Sequence, residues 1–384
     1  MKYYLYKSPL FKVYAEIHDG LVKIKTKGIG SSLMKPVISE MLDIFDNVKP
    51  AKVEDEHLIF STWMPPIPST AFSRLVSSQT SSMRGKMVPE QVTISITEDC
   101  PNSCVHCALP DTKNKKSLTP DMIIDVINQV IKMGTTLIIF DGGEPLVYDG
   151  LESLISHVDH NRAIPTIFTS GTGLNKDKAL KLKNAGLYAV NVSLDSAQPA
   201  KHDQMRGRDG VYEEAISAIN NSLDAGLLVN IYVVLSSNNI DELDDFYDLA
   251  DSMGVHELSF YEIVPTGRWE DRMDSILSDK DHDKLDEFLE RVRWKEGPRV
   301  FSIPHAMKST GCFAGRKWIH VTPEGEVFPC ACIPYSFGNI HDKTLDKIWK
   351  QMRNDKTFAS KTSSCHMRNT EFRENYLGIL TPKK

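Results

Sequence analysis

Six short apolar runs rich in β-branched residues, separated by stretches of helical spacing, fill residues 90 to 270 and restrict the fold more than any other feature. The runs are Val92 to Thr97, Leu137 to Phe140, Thr166 to Thr169, Ala189 to Leu194, Val229 to Leu235 and Glu257 to Val264. Between them Met122 to Met133, Gly150 to Val158, Lys178 to Ala185, Tyr212 to Ala225 and Leu243 to Met253 repeat apolar residues at helical intervals, the first after Thr119 and Pro120. Strands that alternate with helices cannot be joined by tight hairpins, so they pair in parallel with the helices outside. The expected fold class is α/β, and sites in such sheets collect in the loops at the carboxyl ends of the strands.

The loop after the first run carries three cysteines. Cys100, Cys104 and Cys107 stand in CPNSCVHC, a Cys-x3-Cys-x2-Cys spacing. Three thiolates this close can bind three irons of a cubane iron–sulfur cluster and leave the fourth iron open for a substrate or cofactor. Structural zinc is the competing reading, but zinc usually takes four ligands in paired short spacings, and neither a fourth cysteine nor a suitable histidine pair follows within thirty residues. A disulfide framework fits poorly with 7 cysteines, an odd number, in a long chain without a signal peptide. The second run leads into Asp141, Gly142, Gly143, Glu144 and Pro145, where glycine lets backbone approach a ligand closely.

Together the two motifs resemble the radical S-adenosylmethionine (SAM) superfamily. The resemblance implies a partial (β/α)6 TIM-like barrel. It also implies a [4Fe–4S] cluster on Cys100, Cys104 and Cys107 whose open iron chelates SAM. Gly142, Gly143 and Glu144 would hold the SAM amino group, and the backbone at His106 and the apolar Val264 before Pro265-Thr266-Gly267 would meet adenine. Ser193 of Ser193-Leu194-Asp195 would contact the ribose. Arg206 would pair with the SAM carboxylate, which a guanidinium can bind through two hydrogen bonds. A turn cap before Pro145 is the alternative for Glu144, and a surface helix-capping arginine the alternative for Arg206. Thr169-Ser170-Gly171-Thr172 would line the pocket.

The other cysteines are Cys312, Cys330, Cys332 and Cys365. The segment from Cys312 to Cys330 reads as a hairpin around Pro323-Glu324-Gly325, which brings the sulfurs at its two ends together. It resembles the start of the SPASM auxiliary-cluster domain or its shorter twitch relative, as do Gly338-Asn339-Ile340 and the helical Leu345 to Met352. A full SPASM domain has cysteines for two auxiliary clusters. Four suffice for one [4Fe–4S] cluster, with Cys332 and Cys365 open to an alternative reading as small buried hydrophobes.

At 384 residues, with 41% hydrophobic and 25% charged, the chain has the core for two or three domains. The expected boundaries are a small N-terminal α+β domain at 1–88, the barrel at 89–298 and the auxiliary-cluster domain at 299–384. In the first of these, Phe11 to Ile17 and Leu21 to Thr26 alternate around Asp19-Gly20 as a hairpin, Leu33 to Val48 has helical spacing, and Trp63 to Pro68 reads as a proline-rich linker. Some peptide-modifying members of the family carry strands and helices here that grip a leader peptide. No apolar run is long enough to span a bilayer, since Leu227 to Leu235 is short and carries Asn230, so the cytoplasm is expected. A formal net charge of −6 argues against nucleic acid as partner.

The resemblance implies reductive cleavage of SAM to methionine and a 5′-deoxyadenosyl radical that abstracts hydrogen from carbon, with electrons from a donor such as flavodoxin or ferredoxin. An auxiliary cluster would accept the remaining electron or bind substrate, so the leading reading is a radical SAM oxidoreductase acting on a peptide or a cofactor precursor such as a tetrapyrrole. Sulfatase-maturing relatives place a basic aspartate immediately after the equivalent of Cys330, where this chain has Ala331, which argues against formylglycine formation. Radical methylation or C–C bond formation is the enzymatic alternative, and an iron–sulfur electron carrier or scaffold the non-enzymatic one.

Overall fold

The computed structural model describes residues 1–28, 45–82, 85–109 and 114–378. It begins with a three-stranded antiparallel sheet of β1 (Tyr3–Lys7), β2 (Phe11–His18) and β3 (Leu21–Gly28), in that order. Asp19 (φ 52°) and Gly20 (φ 74°) form the two-residue connection between β2 and β3, where a twist-matched turn requires both in the left-handed region. Tyr3, Leu5, Val13 and Val22 pack against Phe72 and Val76 of the helix Thr70–Ser82. β4 (Lys52–Val53) and β5 (Leu58–Ile59) make a short ribbon between them. Most of the helical spacing at Leu33 to Val48 lies outside the described residues.

Seven parallel strands follow: β6 (Gln91–Thr97), β7 (Leu137–Gly142), β8 (Ile164–Thr169), β9 (Ala189–Ser193), β10 (Leu228–Leu235), β11 (Glu257–Glu262) and β12 (Arg299–Ser302), each beside the next. The first six, and the helices between them, are those the sequence predicts. Helix Pro120–Met133 shows why: Thr119 accepts a capping hydrogen bond from Met122 N, Gly134 ends the helix at φ 117°, and Ile123, Val126, Ile127 and Val130 are buried. Period-two alternation divides each strand. Val92, Ile94 and Ile96 of β6, with Ile138, Val190, Ile231 and Phe260, pack outward into the helices. The alternate positions, among them Ser95, Asp141, Phe168, Ser193, Tyr232 and Tyr261, point into the barrel.

The sheet does not stop at residue 298. β12 pairs with β11, Glu257 opposite Arg299. Beyond it β13 (Trp318–Val321) and β14 (Val327–Phe328) form the expected hairpin, with Gly325 at φ 84°, and β13 also pairs in parallel with β6. The sheet is thus nine-stranded and crosses the expected domain boundary at 299. Four residues, Arg-Val-Phe-Ser, carry too little periodicity to reveal β12, and the pairing of β13 with β6 joins segments more than two hundred residues apart.

The stretch read as a linker is packed into the barrel. Ser61 Oγ, Thr62 N and Thr62 Oγ1 donate to the Glu257 carboxylate at 2.6–3.0 Å, and Arg299 pairs with the same carboxylate at 2.5 Å. The Trp63 ring lies 5.6 Å from Phe168, 5.7 Å from Tyr261 and 6.4 Å from Phe301, and its Nε1 donates to Ser259 Oγ. Because Glu257 and Arg299 begin their strands, residues 61–63 close the amino end of the barrel and lay an aromatic floor beneath its interior.

Candidate active site

At the opposite, carboxyl end, β6 runs into the loop of Cys100, Cys104 and Cys107, all half-buried and free. Three other strand-end segments grip this loop. Glu144 N donates to Asp99 O at 2.8 Å, Ser103 N to Arg206 O at 3.0 Å, Val105 N to Met205 O at 2.9 Å and Arg268 N to Cys107 O at 3.0 Å. These approaches leave no room for side chains. A Cβ on Gly207 would sit 2.4 Å from Ser103 O and one on Gly267 2.2 Å from Cys107 O, and both glycines also have positive φ. Gly142 and Gly143 back onto Thr97 O and Asp99 O in the same way, at 2.2 and 2.3 Å.

Arg206 ends the helix Pro199–Arg206, a helix the sequence reading leaves as a loop. It is not at the surface: only 8% exposed, it holds Nε 2.8 Å from Asp195 Oδ2 and directs Nη1 toward Cys104 Sγ at 3.8 Å. His106 Nε2 stands 3.7 Å from the same Asp195 oxygen. Burial pushes Asp195 up, but Arg206, with His106 and His202, holds it below the usual carboxylate range. Burial drives His106 down. Asp195 Oδ1 and His106 Nδ1 are buried without a hydrogen-bond partner in the protein, whereas Asp195 Oδ2 and Arg206 Nε hold each other. Ser193 and Val264, half-buried, complete this side at the ends of β9 and β11.

Glu144 differs from the expectation that its carboxylate waits for an ammonium. It accepts from Thr169 Oγ1 at 2.7 Å, Ser170 N at 2.8 Å, Ser170 Oγ at 2.7 Å and Leu146 N at 3.2 Å, and so caps the turn Pro145–Val147 and ties β7 to β8. Ser170 and Thr172 lead on to Arg208, which pairs with Glu214 and donates to Asn102 Oδ1 inside the cysteine loop. The Thr169–Thr172 segment therefore braces the site, a role no local spacing reveals.

The second group of cysteines gathers beside β14. Cys332 lies close enough to Cys330 to donate to it, which lowers Cys330 and raises Cys332, and Cys332 also feels Cys365 and Cys312. Burial raises Cys312 to about 11 and raises Cys365 further. Cys330 and Cys332 are thus neighbours, with Cys312 and Cys365 within electrostatic reach of them. Among the described residues no three His, Cys, Asp or Glu side chains close on one point as ligands of a single metal ion would.

The roles of Ser95, His320, Tyr232 and Tyr261, which face inward, escape sequence reasoning. Ser95 Oγ donates to Asp141 Oδ1 at 2.7 Å and contacts His320 Nε2 at 3.3 Å. Tyr261 has a buried hydroxyl without a partner. Tyr232 lies within electrostatic reach of Cys332 and Cys330 on one side and Asp195 on the other. Asp141 and Asp195 lie in quoted motifs, the one signal available; the rest depend on strand packing.

The family model for the Radical SAM superfamily matches residues 94–250 and that for the SPASM iron–sulfur cluster-binding domain matches 312–371. The chain is a radical SAM enzyme with a C-terminal SPASM domain. It is 26% identical over 289 residues to the AdoMet-dependent heme synthase of Methanosarcina barkeri, covering 68% of this chain and 82% of that protein. It is 25% identical to the PqqA peptide cyclase of Gluconobacter oxydans, over 68% of this chain and 76% of that one. Streptococcus suis SuiB bound to its precursor peptide SuiA has the same fold, with a TM-score of 0.59 at 12% identity over 94% of this chain and 90% of that one.

The radical SAM enzyme accordingly uses SAM and a [4Fe–4S] cluster, and its SPASM domain implies auxiliary cluster binding. The donor types suit such groups: three free thiols on a clamped loop near the partnerless Asp195 Oδ1 and His106 Nδ1, and four more free thiols within electrostatic reach of one another elsewhere. Burial raises Cys100 to about 11 and raises Cys104 against the pull of Arg206, so these thiols are protonated when metal-free and cluster uptake releases protons. No helix among the described residues is long and apolar enough to cross a membrane.

Proposed function

We propose that this enzyme oxidises a carbon centre of a peptide, with Cys100, Cys104 and Cys107 holding the cluster that cleaves SAM and Cys312, Cys330, Cys332 and Cys365 holding one auxiliary cluster that takes the second electron. Gly142, Gly143, Ser193, Val264 and the backbone at His106 bind SAM, and Arg206 has its carboxylate within reach from a guanidinium anchored on Asp195. The observation that carries the reading is that the inward Tyr232 is within electrostatic reach of Cys330 and Cys332 on one side and of Asp195, beside the first cysteine loop, on the other, so a substrate bound there would lie between the two cysteine sets. The three-stranded unit at the amino end, in a fold shared with a peptide-bound structure, favours a peptide. A cofactor precursor such as a tetrapyrrole is the second reading, favoured by the similarity to a heme synthase.

Anaerobic reconstitution should load about eight irons, from two four-iron clusters. Replacing Cys100, Cys104 and Cys107 together by Ala should remove about half of them and abolish 5′-deoxyadenosine. With SAM, a low-potential donor such as flavodoxin or ferredoxin, and anaerobic extract, mass spectrometry should find a peptide lighter by two hydrogens. A product heavier by a methyl group would replace oxidation with methylation.

A further inference from the structure

The interior position of Asp141 has a consequence for which substrate groups can react there. Asp141 is the inward residue next to the carboxyl end of β7, paired in register with Ser95 of β6. Ser95 Oγ donates to Asp141 Oδ1 at 2.7 Å, and His320 of β13 reaches Ser95 Oγ at 3.3 Å through Nε2. A serine hydroxyl has one proton. When Ser95 gives it to Asp141, His320 must supply an Nε2–H to Ser95, which leaves Nδ1 bare; that atom is buried and partnerless. Two neutral donors thus point in series at the Asp141 carboxylate, whose electrostatic neighbours are His320 and Ser95. Asp141 is half-buried, and Cys330 lies within electrostatic reach of its carboxylate; Tyr232 and Tyr261, the inward residues of β10 and β11, lie within reach of Cys330 as well.

We propose that Asp141 is the proton acceptor for the substrate, positioned by Ser95 and His320, and that the reacting group is therefore a carbon bearing an O–H or N–H rather than a carboxylate. The inference rests on the oxidative reading above. One hydrogen atom leaves the carbon and is carried off in 5′-deoxyadenosine. The O–H or N–H proton passes to Asp141, the radical centre becomes a C=O or C=N bond, and the one electron left over would be taken up by the auxiliary iron–sulfur cluster that the SPASM domain implies. Two hydrogens, two electrons and all charge are then accounted for. An oxidative decarboxylation would instead release carbon dioxide without a proton, and the leaving carboxylate would face Asp141 with like charge. Burial supports the role by raising Asp141 above the ordinary carboxylate range, against the opposing pull of His320 and Ser95.

The test compares the wild-type chain with Asp141→Asn, Asp141→Glu and His320→Asn, each anaerobically reconstituted and given SAM, dithionite and anaerobic cell extract. Iron content and SAM affinity by equilibrium dialysis should stay within twofold of wild type in every variant. Product formed per 5′-deoxyadenosine should fall about a hundredfold in Asp141→Asn, the scale of a lost general base, and recover in part in Asp141→Glu. His320→Asn should lower product formed per 5′-deoxyadenosine about tenfold at unchanged iron content and SAM affinity, a smaller loss than Asp141→Asn, as for a positioning residue. An Asp141→Asn enzyme with the wild-type product ratio, or one that loses iron or SAM binding, overturns the assignment. A wild-type product that is not two hydrogens lighter overturns the oxidative reading and this assignment with it, whereas normal oxidation by Asp141→Asn overturns the assignment alone.

Discussion

An ionised carboxylate has about four acceptor positions, and the protein supplies Glu144 with donors for four of them. Its carboxylate is therefore first a structural knot between β7 and β8, and any contact with SAM works through the geometry that knot fixes. Glu144→Gln turns an NH2 group toward donors that need an acceptor, an exchange that costs about 1–3 kcal/mol in a buried setting. Urea unfolding should show a loss of that size, and SAM affinity should fall at least tenfold at unchanged iron content. Weakened affinity with wild-type stability would restore a direct ammonium contact. The sequence marks Glu144 because the Gly-Gly-Glu-Pro run is local. It cannot show that Thr169 and Ser170 saturate the carboxylate, since those partners lie 25 and 26 residues away across two strands.

The strands and helices of the barrel are legible because each announces itself within a dozen residues, as in the capped, amphipathic Pro120–Met133. What escapes is how the elements meet. The cysteine loop keeps its shape because segments after β7, β9 and β11 press glycines against its carbonyls. Gly267→Ala isolates this: the new Cβ would overlap Cys107 O at 2.2 Å, and φ 54° is strained for alanine. The loop is the part able to yield, because the strands beneath it are buried on both faces. Reconstituted Gly267→Ala should thus keep its far-UV circular dichroism and the iron of the second cysteine group but lose about half the total, as in the triple cysteine variant. Full iron with normal SAM binding would show that the loop tolerates the displacement.

Nine strands in one sheet make the barrel and the hairpin of the second cysteine group a single rigid frame, so the two sets of cysteines are spaced by β6, β13 and β14 rather than by a hinge. The amino-terminal unit belongs to the same frame through residues 61–63. Removing residues 1–88, the span that sequence alone marks off as a separate domain, would strip Glu257 of the three donors from Ser61 and Thr62 and take Trp63 from the aromatic floor. A buried carboxylate deprived of donors and an apolar barrel end opened to water both favour aggregation. The truncated chain is accordingly expected to be insoluble, while Trp63→Ala in the full chain should fold with a stability loss of about 2–3 kcal/mol, toward the low end for a large aromatic because the ring is half-buried. Soluble, cooperative unfolding of the truncated chain in urea, together with wild-type stability for Trp63→Ala, would return this segment to the linker that its prolines suggest.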